Sequence, residues 1–194
     1  MNQTTKLLMA AGLLLSATTA AAHTGHGAHA ESGFLSGLLH PMLGLDHLLA
    51  MAAIGFWSVR QNNLMKNATP AFVISGMVLG AALAWGGLSL PGAETGITFS
   101  VLVTGILIAT LAKMPTAVGG SLVGAFMVFH GFAHGTEMPA GATLAAYLAG
   151  FSIATLAITF VGRGLGSLMM RADSRFSRGV GGVLAVAGVY LAAV

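Results

Sequence analysis

Cysteine is absent from the 194-residue chain, which excludes disulfides, thiolate metal sites, iron–sulfur clusters and lipoprotein anchoring. Charge is scarce as well. Only 7% of residues are Asp, Glu, Lys or Arg, against about 25% in a soluble domain, while 56% are hydrophobic and mean hydropathy is +0.87. Such a composition describes an all-α integral membrane protein. The eight Lys and Arg exceed the five Asp and Glu, yet they stand scattered between apolar segments, with no patch to grip nucleic acid. No phosphate-binding loop occurs, so nothing in the chain couples it to ATP.

What is present begins with a targeting signal. Lys6 precedes an apolar run, Leu7 to Ala17, that is too short to span, and Ala20-Ala21-Ala22 supplies an A-x-A cleavage site. Residues 1–22 therefore read as a cleavable signal peptide, with an uncleaved anchor as the alternative. Residues 23–33 follow as a short extracytoplasmic segment in which His23, His26 and His29 recur every third position. Two readings stay open for these histidines. A free amine and imidazole at His23 would chelate a divalent ion with the other two nearby, whereas a solvated spacer would bind nothing.

Residues 34–194 hold six hydrophobic segments, at about 34–59, 69–90, 93–112, 115–136, 140–162 and 177–194, with Pro70, Pro91, Pro115 and Pro139 placed at the joints. An N-terminus outside puts Arg60, Lys66, Lys113, Arg163, Arg171, Arg175 and Arg178 in cytoplasmic loops and leaves the outer side with Glu31, Glu94 and Glu137. This is the positive-inside pattern, and it predicts six spans with both termini periplasmic. Glycine pairs four apart, such as Gly76/Gly80 and Gly162/Gly166, are suited to close helix contact in lipid. Three spans in each half would also suit an inverted repeat, although the two halves share too little sequence to establish one.

Two motifs put polar chemistry inside this oily frame. The first segment, Phe34 to Val59, has 26 residues, or about 39 Å of helix against a hydrocarbon core of about 30 Å, and it carries HPMLGLDH at residues 40–47. His40, Asp46 and His47 thus fall at membrane depth, where an ionisable side chain costs about 2.5–3.5 kcal/mol and usually faces a polar pathway. On a straight helix His40 and His47 would stand about 10 Å apart along the axis, too far to share one ion. Pro41 and Gly44 lie between them, however, and predict a kinked or unwound span of the kind that lines transporter sites. The fourth segment carries HGFAHGTE, which places His130 and His134 one turn apart on one face with Glu137 near the outer end.

A His pair at this spacing can grip a metal ion, but Gly131 occupies the position of the zincin general base, which disfavours peptide hydrolysis. Together the two motifs suggest a stepwise relay of ligands from the outer face, through His40, His130, His134 and Glu137, to Asp46 and His47 at about 18 Å depth. Imidazole with carboxylate suits nickel, cobalt, zinc or copper, and donor type alone does not rank nickel against zinc. Met42, Met51, Met127 and Met138 flank the motifs and are read as packing. Other readings remain beside a permease. Four intramembrane histidines would also serve a b-type cytochrome, which a Soret band would reveal, and a membrane metalloenzyme or metal-binding assembly factor would use the same donors.

HPMLGLDH followed by HGFAHGTE closely resembles the HupE/UreJ family of nickel and cobalt permeases, and the resemblance covers the signal, the six segments and both motifs. It implies non-ATP uptake of Ni²⁺, with Co²⁺ next and Zn²⁺ last, across the bacterial inner membrane to supply a hydrogenase or urease. It implies no prosthetic group, and it assigns the family's motif positions to His40, Pro41, Gly44, Asp46 and His47 and to His130, His134 and Glu137. The chain also looks like the larger nickel/cobalt transporters, in which four residues separate His from Asp-His. Five do so here, and identical coordination does not carry over. Oligomeric state is open, with a homo-oligomer compatible with the sequence.

Overall fold

The apolar segments fold into helices because lipid offers no partner for a free backbone N–H or C=O. A computed structural model describes residues 33–193, and among them there are seven α-helices and no strand. These are α1 (Gly33–Leu43), α2 (Leu45–Ser58), α3 (Asn63–Trp85), α4 (Ala93–Ala109), α5 (Thr116–Thr136), α6 (Leu144–Met169) and α7 (Ser174–Leu191). The proposed signal peptide and His23, His26 and His29 lie outside the described residues.

Helices α3, α5 and α6 are each long and apolar enough to cross a membrane, and α1 with α2 forms a fourth such unit when taken as one broken span. Helix α4 is apolar but shorter, at 17 residues. These apolar helices make the chain a multi-pass membrane protein. The break that Pro41 and Gly44 predict is present, and α1 and α2 meet at 80°. Gly44 is the hinge, with an extended backbone (φ −84°, ψ 111°) between two helical turns.

One proline is not where the hydrophobic boundaries put it. Asn62 caps α3 by accepting a hydrogen bond from the Met65 N–H at 2.8 Å, so this helix starts before the apolar run and Pro70 lies inside it. Proline has no N–H to give the Lys66 carbonyl four residues back. Arg163 supplies the missing donor from α6, with Nη1 3.2 Å from the Lys66 oxygen and Nη2 3.3 Å from Asn67 Oδ1. Replacing Arg163 with alanine is expected to lower stability by about 1 kcal/mol, read as a lower thermal unfolding midpoint in detergent.

Helix contacts use glycines to bring backbones together, in reciprocal pairs. A Cβ on Gly55 of α2 would strike the Thr159 carbonyl of α6, and one on Gly162 of α6 would strike the Ala52 carbonyl of α2. Gly37 and Gly150 lock α1 to α6 in the same manner, Gly80 and Gly131 lock α3 to α5, and Gly105 and Gly181 lock α4 to α7. At one end of the bundle, Trp57 Nε1 and Gln61 Nε2 both donate to the Ala112 carbonyl, at 3.1 and 3.0 Å, and tie α2 to the loop between α4 and α5. Arg60 reaches Ser177 at this same end. At the other end, Trp85 Nε1 donates to the Gly135 carbonyl at 3.1 Å. That end carries the functional candidates.

Candidate metal-ion site

The broken helix decides the site's geometry. Because α1 turns away from α2 at Gly44, the His40 and His47 rings come to 6.5 Å between centroids, and a straight span would hold them too far apart to meet. The graded descent drawn from a straight helix is therefore replaced by a cluster. His134 of α5 stands at its middle, 4.8 Å from both His40 and His47, and His130 lies 4.6 Å from His47. Both motifs thus meet in one place. Among the nine residues proposed from sequence as ligands, these four imidazoles with Asp46 and Glu137 are brought together, and His23, His26 and His29 are not among the described residues.

Each donor is held by a local device. Gly44 offers no capping side chain at the start of α2, and Asp46 compensates by accepting the His47 backbone N–H at 2.7 Å. The same carboxylate oxygen lies 2.9 Å from His47 Nδ1, so Asp46 orients the ring and leaves Nε2 as its inner face. Phe151 of α6 stacks flat on His134 at 5.1 Å and fixes its plane. His130 Nε2 lies 3.0 Å from Ser100 Oγ on α4. Glu137 caps the end of α5, and one of its carboxylate oxygens is 2.6 Å from His40 Nε2.

Exposure falls in order through these groups. The side chains of Glu137, His40, Asp46 and His47 are 48%, 32%, 22% and 9% accessible, and His130 and His134 are fully enclosed. The pair Glu137–His40 is thus a doorway and His130–His134 the interior. His47 Nε2, His130 Nδ1 and both nitrogens of His134 are buried with no hydrogen-bond partner among the described residues. No group of three or more His, Asp or Glu among the described residues is disposed to hold an ion as it stands. The cluster is a set of donors in mutual edge contact, and ligation would require the rings to turn.

At the doorway, the His40 hydrogen bond holds the Glu137 carboxyl below its ordinary range, and partial burial opposes this. A lowered carboxylate pKa stabilises the fold above the ordinary glutamate value, and that contribution disappears as pH falls through the lowered one. Replacing His40 with alanine is accordingly expected to raise the Glu137 titration midpoint, followed by the carboxyl ¹³C shift of the labelled protein.

Sequence reasoning missed four neighbours. Glu94, with Thr95 and Thr98, lines a cavity of about 300 Å³ that also reaches Asp46. Only its acidity near the start of the third segment could have marked it. Tyr147, fully buried, packs 6.4 Å from His40 with its hydroxyl unpaired. Tyr147 and Phe151 in the fifth segment and Ser100 in the third lie outside both motifs, and no spacing in the sequence marks them.

Comparison with known proteins agrees with the motif-level resemblance. The family described as HupE / UreJ protein matches residues 11–191. A curated relative, Protein HupE of Rhizobium leguminosarum bv. viciae, is 40% identical over 171 residues, covering 88% of this chain and 89% of its own length. No solved structure matches. With a family match over nearly its whole length and a relative this similar, the chain belongs to the HupE/UreJ family.

Proposed function

We propose that this protein is a secondary permease that takes up divalent transition-metal ions, Ni²⁺ first and Co²⁺ second, from the periplasm into the cytoplasm for nickel-enzyme maturation. Six spans, with α1–α2 as the broken first one, would place both termini in the periplasm and the basic residues inside. The observation that carries this reading is the convergence of four imidazoles from a broken helix and α5, with buried nitrogens that no group among the described residues satisfies. An unpaired buried polar atom costs about 1–3 kcal/mol, and a divalent cation shedding water would supply the partner. Glu137 and His40 would receive the hydrated ion, Asp46 would offset its charge, and His47, His130 and His134 would replace its water stepwise.

Uptake of radioactive nickel by cells expressing His47→Ala or Asp46→Asn tests it. Each variant is expected to lose at least about 10-fold in uptake at equal membrane abundance, because one removes a donor and the other its orienting carboxylate. Full uptake by both would sink the permease reading. Competition by cobalt and zinc in vesicles then ranks the cargo.

A further inference from the structure

Ser100 lies outside both motifs, on α4, and is fully buried. Its Oγ is 2.6 Å from the Ile97 carbonyl oxygen and 3.0 Å from His130 Nε2. A hydroxyl has one proton, and a carbonyl oxygen can only accept. The short contact to Ile97 is attractive only with the Ser100 proton in it, since two bare acceptors at that distance would repel. Ser100 therefore shows His130 lone pairs alone. His130 Nε2 must then be the donor, and a neutral imidazole protonated at Nε2 carries its free lone pair on Nδ1. That Nδ1 is buried without a hydrogen-bond partner among the described residues, on a ring in edge contact with His47.

We propose that Ser100 is a positioning residue that fixes the Nε2–H tautomer of His130 and thereby makes Nδ1 the atom that meets the incoming divalent cation. Imidazoles that bind metals commonly donate their other N–H to an oxygen, which sets the tautomer and the ring orientation. Here that oxygen comes from a third span, so α4 takes part in the site without contributing a ligand. The inference rests on the permease reading only for what Nδ1 receives. The tautomer itself is a property of the metal-free chain.

The full chain, labelled with ¹⁵N-histidine and placed in detergent without metal, gives the first readout. His130 ring signals are assigned by their loss in His130→Gln. The expected result is a protonated Nε2 and a lone-pair Nδ1 in the wild type, a mixture of tautomers in Ser100→Ala, and the single tautomer again in Ser100→Thr, whose hydroxyl can make the same backbone bond. A protonated Nδ1 in the wild type, or an unchanged tautomer in Ser100→Ala, would overturn the proposal.

Nickel supplies the second readout. Added Ni²⁺ should broaden the His130 Nδ1 signal first, and Ser100→Ala should raise the KM for nickel uptake about 10-fold with its maximal rate nearly kept. Uptake that persists while Nδ1 ignores nickel would refute ligation there. If the wild type transports no nickel at all while the tautomer results hold, the permease reading fails and the Ser100 assignment survives.

Discussion

If the proposed permease reading holds, replacing His134 with alanine is expected to reduce nickel uptake by about 100-fold, at or beyond the upper end of what loss of a ligand's supporting partner does, because on that reading the change removes a ligand itself. His134 is the ring that both halves of the broken helix touch, and its two nitrogens are buried and unpaired. The substitution should not unfold the protein, because two effects oppose each other. Cutting a buried side chain back to alanine costs about 2–5 kcal/mol through lost packing, while removing two unsatisfied polar atoms returns about 1–3 kcal/mol each. Phe151→Ala is the control. It removes the ring stacked on His134, costs about 3–5 kcal/mol of packing with no polar compensation, and retains every donor side chain while freeing only the plane of one. Uptake per folded molecule should therefore fall far more in His134→Ala, although Phe151→Ala is the less stable protein by thermal unfolding. Equal losses of uptake would mean that His134 acts through packing alone.

Much of this site was legible from spacing, and what was not has definite physical reasons. His130 and His134 are four apart on an uninterrupted helix, where sequence distance converts directly into a shared face. Their shared face needed no tertiary information, whereas their burial is set by how α5 packs in the bundle. His40 and His47 were separated by a proline and a glycine, which signal a break but fix neither its angle nor its direction. Whether seven residues meant 10 Å or ring contact depended on how α1 packs on α6 through Gly37 and Gly150. The contribution of α4 was invisible for a similar reason. Ser100 becomes a partner of His130 only when two helices are neighbours, and no local pattern marks that contact. Pro70 misled because hydrophobicity dates a helix from its oily part, and α3 begins earlier, at its polar Asn62 cap.

The bend at Gly44 gives the second large effect. In the double variant Pro41→Ala/Gly44→Ala, the chain from Phe34 to Val59 should lean toward one continuous helix. Proline costs about 3 kcal/mol and glycine about 1 kcal/mol relative to alanine inside a helix, so the pair shifts the local balance toward straightness by about 4 kcal/mol. A second push comes from crowding. A Cβ on residue 44 of the bent form would lie 3.1 Å from Asp46 Oδ1 and 3.2 Å from His47 Nδ1, inside ordinary contact distance and against the pair that orients the ring. What resists is the packing of α1 on α6, where Gly37 and Gly150 interlock with the opposite backbone. Every chemical donor is retained in this variant. If the cluster depends on the bend, nickel uptake should nonetheless drop at least about 10-fold, because the straight form separates His40 and His47 by about 10 Å along the axis and takes His40 away from His134. Helical content by circular dichroism should stay level or rise slightly, which distinguishes straightening from unfolding. A spin-label pair on exposed Phe34 of α1 and on half-buried Leu49 of α2 should lengthen in the variant. Full uptake together with a lengthened distance would show that the imidazoles need not converge for transport, and the bend would then be a matter of packing alone.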